Sequence, residues 1–271
     1  MCYNRTMKLV MFCDYGLDDA AATVDILQHA EKDGYDSIHL VAIGGNVPAD
    51  VALENACKLV SNLKFTALPL TIVDTVDVEQ PAEFLAAIHG RDGMGDLFDK
   101  RECFTRVVKF AQWIDRFNGD YILVSLGPMT LVPLILKKFL PEKFVFMGGN
   151  VSETPNYGKY EFNHGINPAA FAECVKYKHV AITMDTCRNA KLNVQNKEIG
   201  QQDDMHRIVG RSRELSLGTR EKGCFVWDDI AVKYLRHPDW FTLSNETDCD
   251  GNNLTVARYK GNREYLEIIN E

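Results

Sequence analysis

The chain has 271 residues, 46% hydrophobic and 25% charged, an ordinary globular balance. Its formal net charge of −8 argues against nucleic acid and anionic membranes as partners, because both select basic patches. Eight cysteines are scattered without a Cys-x-x-Cys pair, and no signal peptide or membrane-length apolar run occurs, so free thiols in a reducing cytoplasm are expected.

No composition shift, internal repeat or flexible linker marks a boundary, so a single domain over 1–271 is expected. Leu9-Val10-Met11-Phe12 reads as a buried strand, and Ala20 to Leu27 reads as a helix. Between them, Cys13-Asp14-Tyr15-Gly16-Leu17-Asp18-Asp19 puts three carboxylates on one strand-to-helix turn. Helix capping accounts well for one Asp and tolerably for two. Asp14 ends an apolar strand and is drawn toward the interior. Crowded carboxylates repel unless something positive lies between them, and a hard dication with oxygen ligands is the usual remedy. On spacing alone, a metal site and a solvated cap both remain open.

Further along, Ser37 to Ile43 is a strand ending in Gly44-Gly45-Asn46, and residues 49–62 carry apolar positions at helical spacing. A short strand over Leu68–Val73 precedes the glycine-punctuated loop Ile88-His89-Gly90-Arg91-Asp92-Gly93-Met94-Gly95. Residues 101–117 read as an amphipathic helix. Tyr121–Leu126 is a strand stopped by Gly127-Pro128, with a helix following to about Phe139. Lys143–Met147 is a strand stopped by Gly148-Gly149, followed by a polar loop to Gly165. Pro168 opens a helix through Tyr177, and His179–Met184 is a strand ending at Asp185. Residues 203–221 and 225–236 read as helices; the tail after Pro238 has a weak strand at 254–256 and a last helix from Asn262.

Continuous apolar strands alternating with helices predict an α/β fold, a mostly parallel open sheet covered on both faces. Asp14, Asn46, Leu126, Met147 and Asp185 all fall at carboxyl ends of strands, the edge where such sheets bind ligands. No Gly-x-Gly-x-x-Gly opens a helix after the first strand, and no phosphate-binding Gly-x-x-x-x-Gly-Lys-Ser/Thr occurs, which counts against dinucleotides and nucleoside triphosphates.

The acidic turn resembles the Asp-x-Asp-Pro-Gly-x-Asp-Asp-Ala motif of the nucleoside hydrolases, the calcium-dependent inosine–uridine-type N-ribohydrolases. Later pieces resemble that family in the same order: Gly45-Asn46, His89-Gly90-Arg91-Asp92-Gly93-Met94-Gly95, Leu126-Gly127-Pro128-Met129-Thr130, Met147-Gly148-Gly149-Asn150-Val151, Glu161-Phe162-Asn163 with Asn167-Pro168, and Trp227-Asp228. The matches span residues 9 to 235. The resemblance implies a Rossmann-like nucleoside hydrolase fold and a homo-oligomer, a dimer or tetramer. It implies Ca²⁺ held by Asp14, Asp19, the Leu126 carbonyl and Asp228. It implies ribose contacts from Asp18, Asn46, Met147, Asn150, Glu161 and Asn163, with His89, Trp227 and Asp228 as further substrate-binding residues. Asp14 is then the base that activates water for attack at C1′.

Many relatives carry a His where Trp227 stands, but the purine-specific members are similar in carrying a Trp there, so the resemblance implies that Trp227 stacks on a purine. Phe84, His89 and Phe98 are candidates for the opposite face of that sandwich. A purine ribonucleoside substrate, and a place in purine salvage, follow as expectations. Taken singly, several of these residues also have plainer readings. Asn46 suits a turn, Met147 the core, His89 a packing role, Asp228-Asp229 a helix start and Trp227 the core. Glu161 and Asn163 share a face if that segment is extended. The motif departs at Phe12, Tyr15, Leu131 and Asn167. A catalytically weakened enzyme, or a nucleoside- or sugar-binding protein on the same fold, is therefore the alternative. An unrelated metal-dependent phosphatase is disfavoured because no basic cluster adjoins the acidic turn.

Overall fold

Nine strands, the inner ones apolar, account for the architecture. In a computed structural model, which describes residues 7–83, 85–99, 103–217 and 223–270, they form one sheet. The first half comprises β1 (Lys8–Cys13), α1 (Leu17–His29), β2 (Ser37–Ala42), α2 (Ala49–Leu63), β3 (Leu70–Asp74), α3 (Ala86–His89), β4 (Arg106–Lys109), α4 (Phe110–Arg116), β5 (Tyr121–Ser125) and α5 (Val132–Lys138). The second comprises β6 (Lys143–Met147), α6 (Phe162–Ile166), α7 (Pro168–Cys174), β7 (Val180–Ile182), α8 (Met184–Cys187), α9 (Asp204–Ser216), α10 (Trp227–Arg236), β8 (Phe241–Thr247), β9 (Asn253–Tyr259) and α11 (Tyr265–Ile268).

The strand order is β4-β3-β2-β1-β5-β6-β7-β9-β8. All neighbours pair in parallel except β8 and β9. The chain winds outward from β1 to β4, then returns to place β5 on the other side of β1. The carboxyl ends of β1 and β5 are therefore the switch point, where a crevice opens between diverging loops. One apolar cluster lies on each face of the sheet. Met11 and Cys13 belong to one, Val10 and Phe12 to the other, as strand alternation requires. Phe12, at the family's first acid position, is thus a core residue.

Three sequence expectations are corrected. Residues 103–105 are not helical, and Arg106–Lys109 is a strand; only Phe110–Arg116 is helix. Its Val107-Val108 pair and unpaired outer edge suit a sheet margin guarded by Arg106 and Lys109. Residues 100–102 and 218–222 lie outside the described residues, so those parts of the expected helices do too; α9 ends at Ser216. The tail forms a hairpin, not one weak strand, and its β9 extends the sheet beside β7. The seven described cysteines are all free. Among the described residues no helix is long and apolar enough to cross a membrane.

Helices α1 and α10 pack against one another and carry acids in both first turns. Ala20, Ala21 and Ala22 are fully buried, and their small side chains let α1 lie close. A buried ion cluster clamps the other end of the pair. The Asp25 carboxylate meets Lys233 Nζ at 3.0 Å, an Arg236 guanidinium nitrogen at 3.0 Å and His29 Nδ1 at 3.2 Å. Asp229 meets Lys233 at 3.7 Å and accepts from the Tyr265 hydroxyl at 2.7 Å. Burial pushes the Asp25 carboxyl up, but the His29 hydrogen bond and the Lys233 and Arg236 charges outweigh it and hold the group at about 2.

A carboxyl held below its unfolded value stabilises the fold above pH 3.8 and loses that contribution as pH falls toward 2. Asp25→Asn is expected to lower the unfolding free energy at pH 7 by about 2 kcal/mol. Urea titrations across pH should show the gap between the two proteins closing from pH 4 to pH 2. A gap independent of pH would contradict this account.

Candidate functional site

The switch point holds the acidic turn. Tyr15 follows Asp14 with a left-handed φ of 47°, which reverses the chain from β1 into α1. Proline, the family's residue there, cannot adopt that φ. Asp19 holds the turn: its carboxylate accepts from the Gly16 N–H at 2.8 Å and the Asp14 N–H at 3.2 Å. Capping is therefore a real role for Asp19. Asp14 is fully buried, and its carboxylate accepts from the Asn46 N–H at 2.7 Å and the Asn46 amide at 3.0 Å. Asn46 has no left-handed backbone, so the turn reading of that residue is set aside.

Glycines give Asp14 its space. A Cβ on Gly45 would sit 2.0 Å from Asp14 Oδ2, and one on Gly127 would sit 2.8 Å from its Cγ.

Asp18, Asp19 and Asp228 each present a carboxylate oxygen within 4.8 Å of the others. Asp14 stands beside this group, not in it. Burial pushes Asp19 up, with the Asp14 and Asp18 charges adding. Burial also pushes Asp228 up, with Asp18, Asp19 and Asp14 adding. Burial raises Asp14 to about 7, against the pull of Asp19 and the Asn46 N–H. One oxygen of Asp18 is buried without a hydrogen-bond partner. Such a set fits a hard dication, because oxygen donors of like charge need a cation between them to stay ionised together.

A second acid stands across the crevice. Glu161 is 1% exposed and caps α6: its carboxylate accepts from the N–H groups of Gly149 (2.8 Å), Asn163 (3.0 Å) and His164 (3.1 Å). Burial raises its carboxyl to about 7 against those bonds. Asn163 lies in the first turn of α6, so the pair does not share an extended segment as the spacing predicts. Its amide donates to the Leu126 carbonyl at 2.6 Å and the Met147 carbonyl at 3.3 Å. The Leu126 carbonyl is thus already an acceptor, with a second lone pair left. Asn167, in place of an Asp, still caps α7, accepting from the Ala170 N–H at 3.1 Å.

These elements enclose a cavity of about 270 Å³. Asp18, Asn46, His89 and Leu126 line it, as do Met147, Glu161, Asn163, Trp227 and Asp228. Asp14, Asp19 and Asn150 stand one layer behind. Asn150 acts indirectly, accepting from the Glu161 N–H at 2.9 Å. His89 Nδ1 accepts from the Leu17 N–H at 3.1 Å, which puts the ring proton on Nε2; burial lowers its pKa and keeps it neutral.

Asp185 does not reach the cavity. It accepts from the N–H groups of Val151, Ser152 and Glu153 and anchors that loop. Phe98 packs in the core away from the cavity, and Phe84 lies outside the described residues. The sequence reading missed Tyr157, Phe162 and Phe225, which join Trp227 in the wall. Phe162 and Phe225 adjoin recognised motifs, and that proximity was a usable signal. Tyr157 lies in a loop without periodicity. Among the described lining residues none is Lys or Arg.

The crevice therefore combines polar, acidic and aromatic lining residues in one concave site, the form of a small-molecule site. Comparison with known proteins agrees. A profile of the family described as inosine-uridine preferring nucleoside hydrolase matches residues 9–265, and the chain belongs to that family. The non-specific ribonucleoside hydrolase RihC of Escherichia coli is 27% identical over 264 residues, covering 88% of this chain and 82% of the relative. An inosine-guanosine nucleoside hydrolase superposes with a TM-score of 0.67 at 20% identity, over 97% of this chain and 90% of the other. A purine-preferring ribonucleoside hydrolase from Gardnerella vaginalis superposes with a TM-score of 0.71 at 19% identity, over 97% and 96%. The two superpositions establish a shared fold.

Gly45→Ala tests the packing around Asp14. The added methyl has no room, so Asp14 and Asn46 are expected to separate, site-dependent ligand affinity to fall at least about tenfold, and the melting temperature to fall with the overpacking. Calorimetric titration with ribose or a nucleoside measures it. Unchanged affinity would mean that Asp14 moves without consequence.

Proposed function

We propose that this cavity hydrolyses the N-glycosidic bond of ribonucleosides, purine before pyrimidine, with a bound Ca²⁺. Membership of the nucleoside hydrolase family supports the reaction class. The observation that carries the finer reading is one cavity lined both by carboxylates, Asp18, Glu161 and Asp228, and by the aromatic side chains of Trp227, Phe225, Phe162 and Tyr157.

Asp19 and Asp228 belong both to the clustered acids and to the ligand set that the family resemblance implies. They are the core of the proposed metal site. Asp18, Asp14 and the Leu126 carbonyl are the further oxygen donors, within the six to eight that Ca²⁺ takes. The ion, when bound, neutralises the acids, orients a sugar diol and lowers the pKa of water. Asp14 accepts the proton of the attacking water; Asn46 fixes its carboxylate for that task. Glu161 and Asn163 hold the sugar, each braced by backbone groups. The surrounding carboxylates stabilise positive charge that develops on the ribosyl ring. Trp227 has no proton to give usefully, since indole N–H does not titrate. It serves by stacking on the leaving base.

Three variants and the unaltered protein test this. Asp19→Ala is expected to abolish calcium-dependent thermal stabilisation, measured by the melting temperature with and without chelator. Undiminished stabilisation would remove Asp19 from the metal site. Asp14→Asn is expected to keep the fold and lower purine nucleoside turnover at least about 10²-fold, the scale of a lost general base. Near-full activity would refute the assigned base. No release of base from any nucleoside by the unaltered protein would leave a binding protein in place of the enzyme. Trp227→Ala should cost inosine hydrolysis more than hydrolysis of p-nitrophenyl riboside, whose leaving group needs no help. Equal losses would make Trp227 a packing residue.

A further inference from the structure

Helix α8 is absent from the cavity lining, yet it contacts both the 151–153 loop and Trp227. Asp185 accepts from the Val151 and Ser152 N–H groups at 2.8 Å each, the Glu153 N–H at 3.0 Å and the Ser152 hydroxyl at 2.6 Å. Arg188, at the end of the same helix, donates to Glu153 Oε2 at 3.2 Å and to the Thr154 carbonyl at 3.0 Å. Its guanidinium carbon stands 5.9 Å from the centre of the Trp227 ring. Cys187, its neighbour, donates to the Trp227 carbonyl at 3.9 Å. The loop so anchored continues through Asn156 and Tyr157 to Glu161, all of which line the cavity.

We propose that Arg188 is a positioning residue: it fixes the Trp227 indole and the 150–157 loop together as one wall against the leaving base. The inference rests on the stacking role given to Trp227. The physical case is geometric. Trp227 opens α10 and is only half buried, so the packing of its ring is incomplete on its own element. A guanidinium above an indole is attracted to its face. Arg188 Nη1 donates to both Glu153 and Thr154 while the guanidinium lies over the ring, which ties ring orientation to loop position. An ammonium lacks the flat, weakly hydrated plane that rests on an aromatic face. Arg188 touches no substrate in this arrangement, so its effect appears only through Trp227 and the loop.

Two measurements on the full-length protein decide it. The protein's three tryptophans are labelled with 5-fluorotryptophan, and the Trp227 resonance is assigned by its loss in Trp227→Phe. In Arg188→Met that resonance alone should shift and broaden. In parallel, kcat for inosine should fall about tenfold, the scale of a lost cation–π contact with its ordering effect, while p-nitrophenyl riboside loses less than about twofold. Arg188→Lys should lie between. An unmoved Trp227 resonance, or equal losses on both substrates, overturns the inference. If Trp227→Ala leaves the ratio of the two substrates unchanged, the stacking role itself fails. The fluorine spectrum of Arg188→Met still reports separately whether Arg188 positions the ring.

Discussion

Mutual repulsion of buried carboxylates is the constraint on which the rest of the structure depends. Asp14, Asp19, Asp228 and Glu161 are nearly inaccessible, and Asp18 stands against them. Burying an ionised carboxylate is costly unless it is hydrogen-bonded or paired. Backbone N–H groups carry part of the load: those of Asp14 and Gly16 serve Asp19, that of Asn46 serves Asp14, and three serve Glu161. Helix starts carry another part, since Asp18, Asp19 and Asp228 sit in first turns where the dipole is positive. What these leave uncompensated is the negative charge that a hard cation answers.

The supporting architecture follows from that need. The acids of α1 and α10 face one another only because the helices are held in register, and the Asp25–Lys233–Arg236 cluster does this from the far end. Glycines at 45 and 127 leave Asp14 the space that any side chain would fill. The switch point between β1 and β5 supplies the crevice, since helices and loops diverge there. A chain with the same acids and a different strand order would not bring them together.

The aromatic lining residues come from α10, α6 and the loops that lead into them. Arg188 and Asp185 bind the 150–157 loop, and Arg188 also covers Trp227. Among the acids, backbone N–H groups fix the carboxylates of Asp14, Asp19 and Glu161.

Much was legible in the sequence. Continuous apolar strands fixed the parallel sheet, because only strands buried on both faces read that way. The acidic turn, Glu161 and Trp227-Asp228 could be named because the motifs keep their chain order. Local patterns failed where tertiary pairing overrode them. Arg106–Lys109 became an edge strand because β3 offered a partner, and Asn253–Tyr259 joined the sheet because β7 did. The sequence alone determined which residues carry charge, oxygen donors and aromatic faces. Only the tertiary structure decided which carboxylates converge, that Asp14 stands beside Asp18, Asp19 and Asp228, and that Tyr157, Phe162 and Phe225 join the lining. Those relations join residues distant in the chain, and such contacts are set by the packing of strands and helices, which no local spacing encodes.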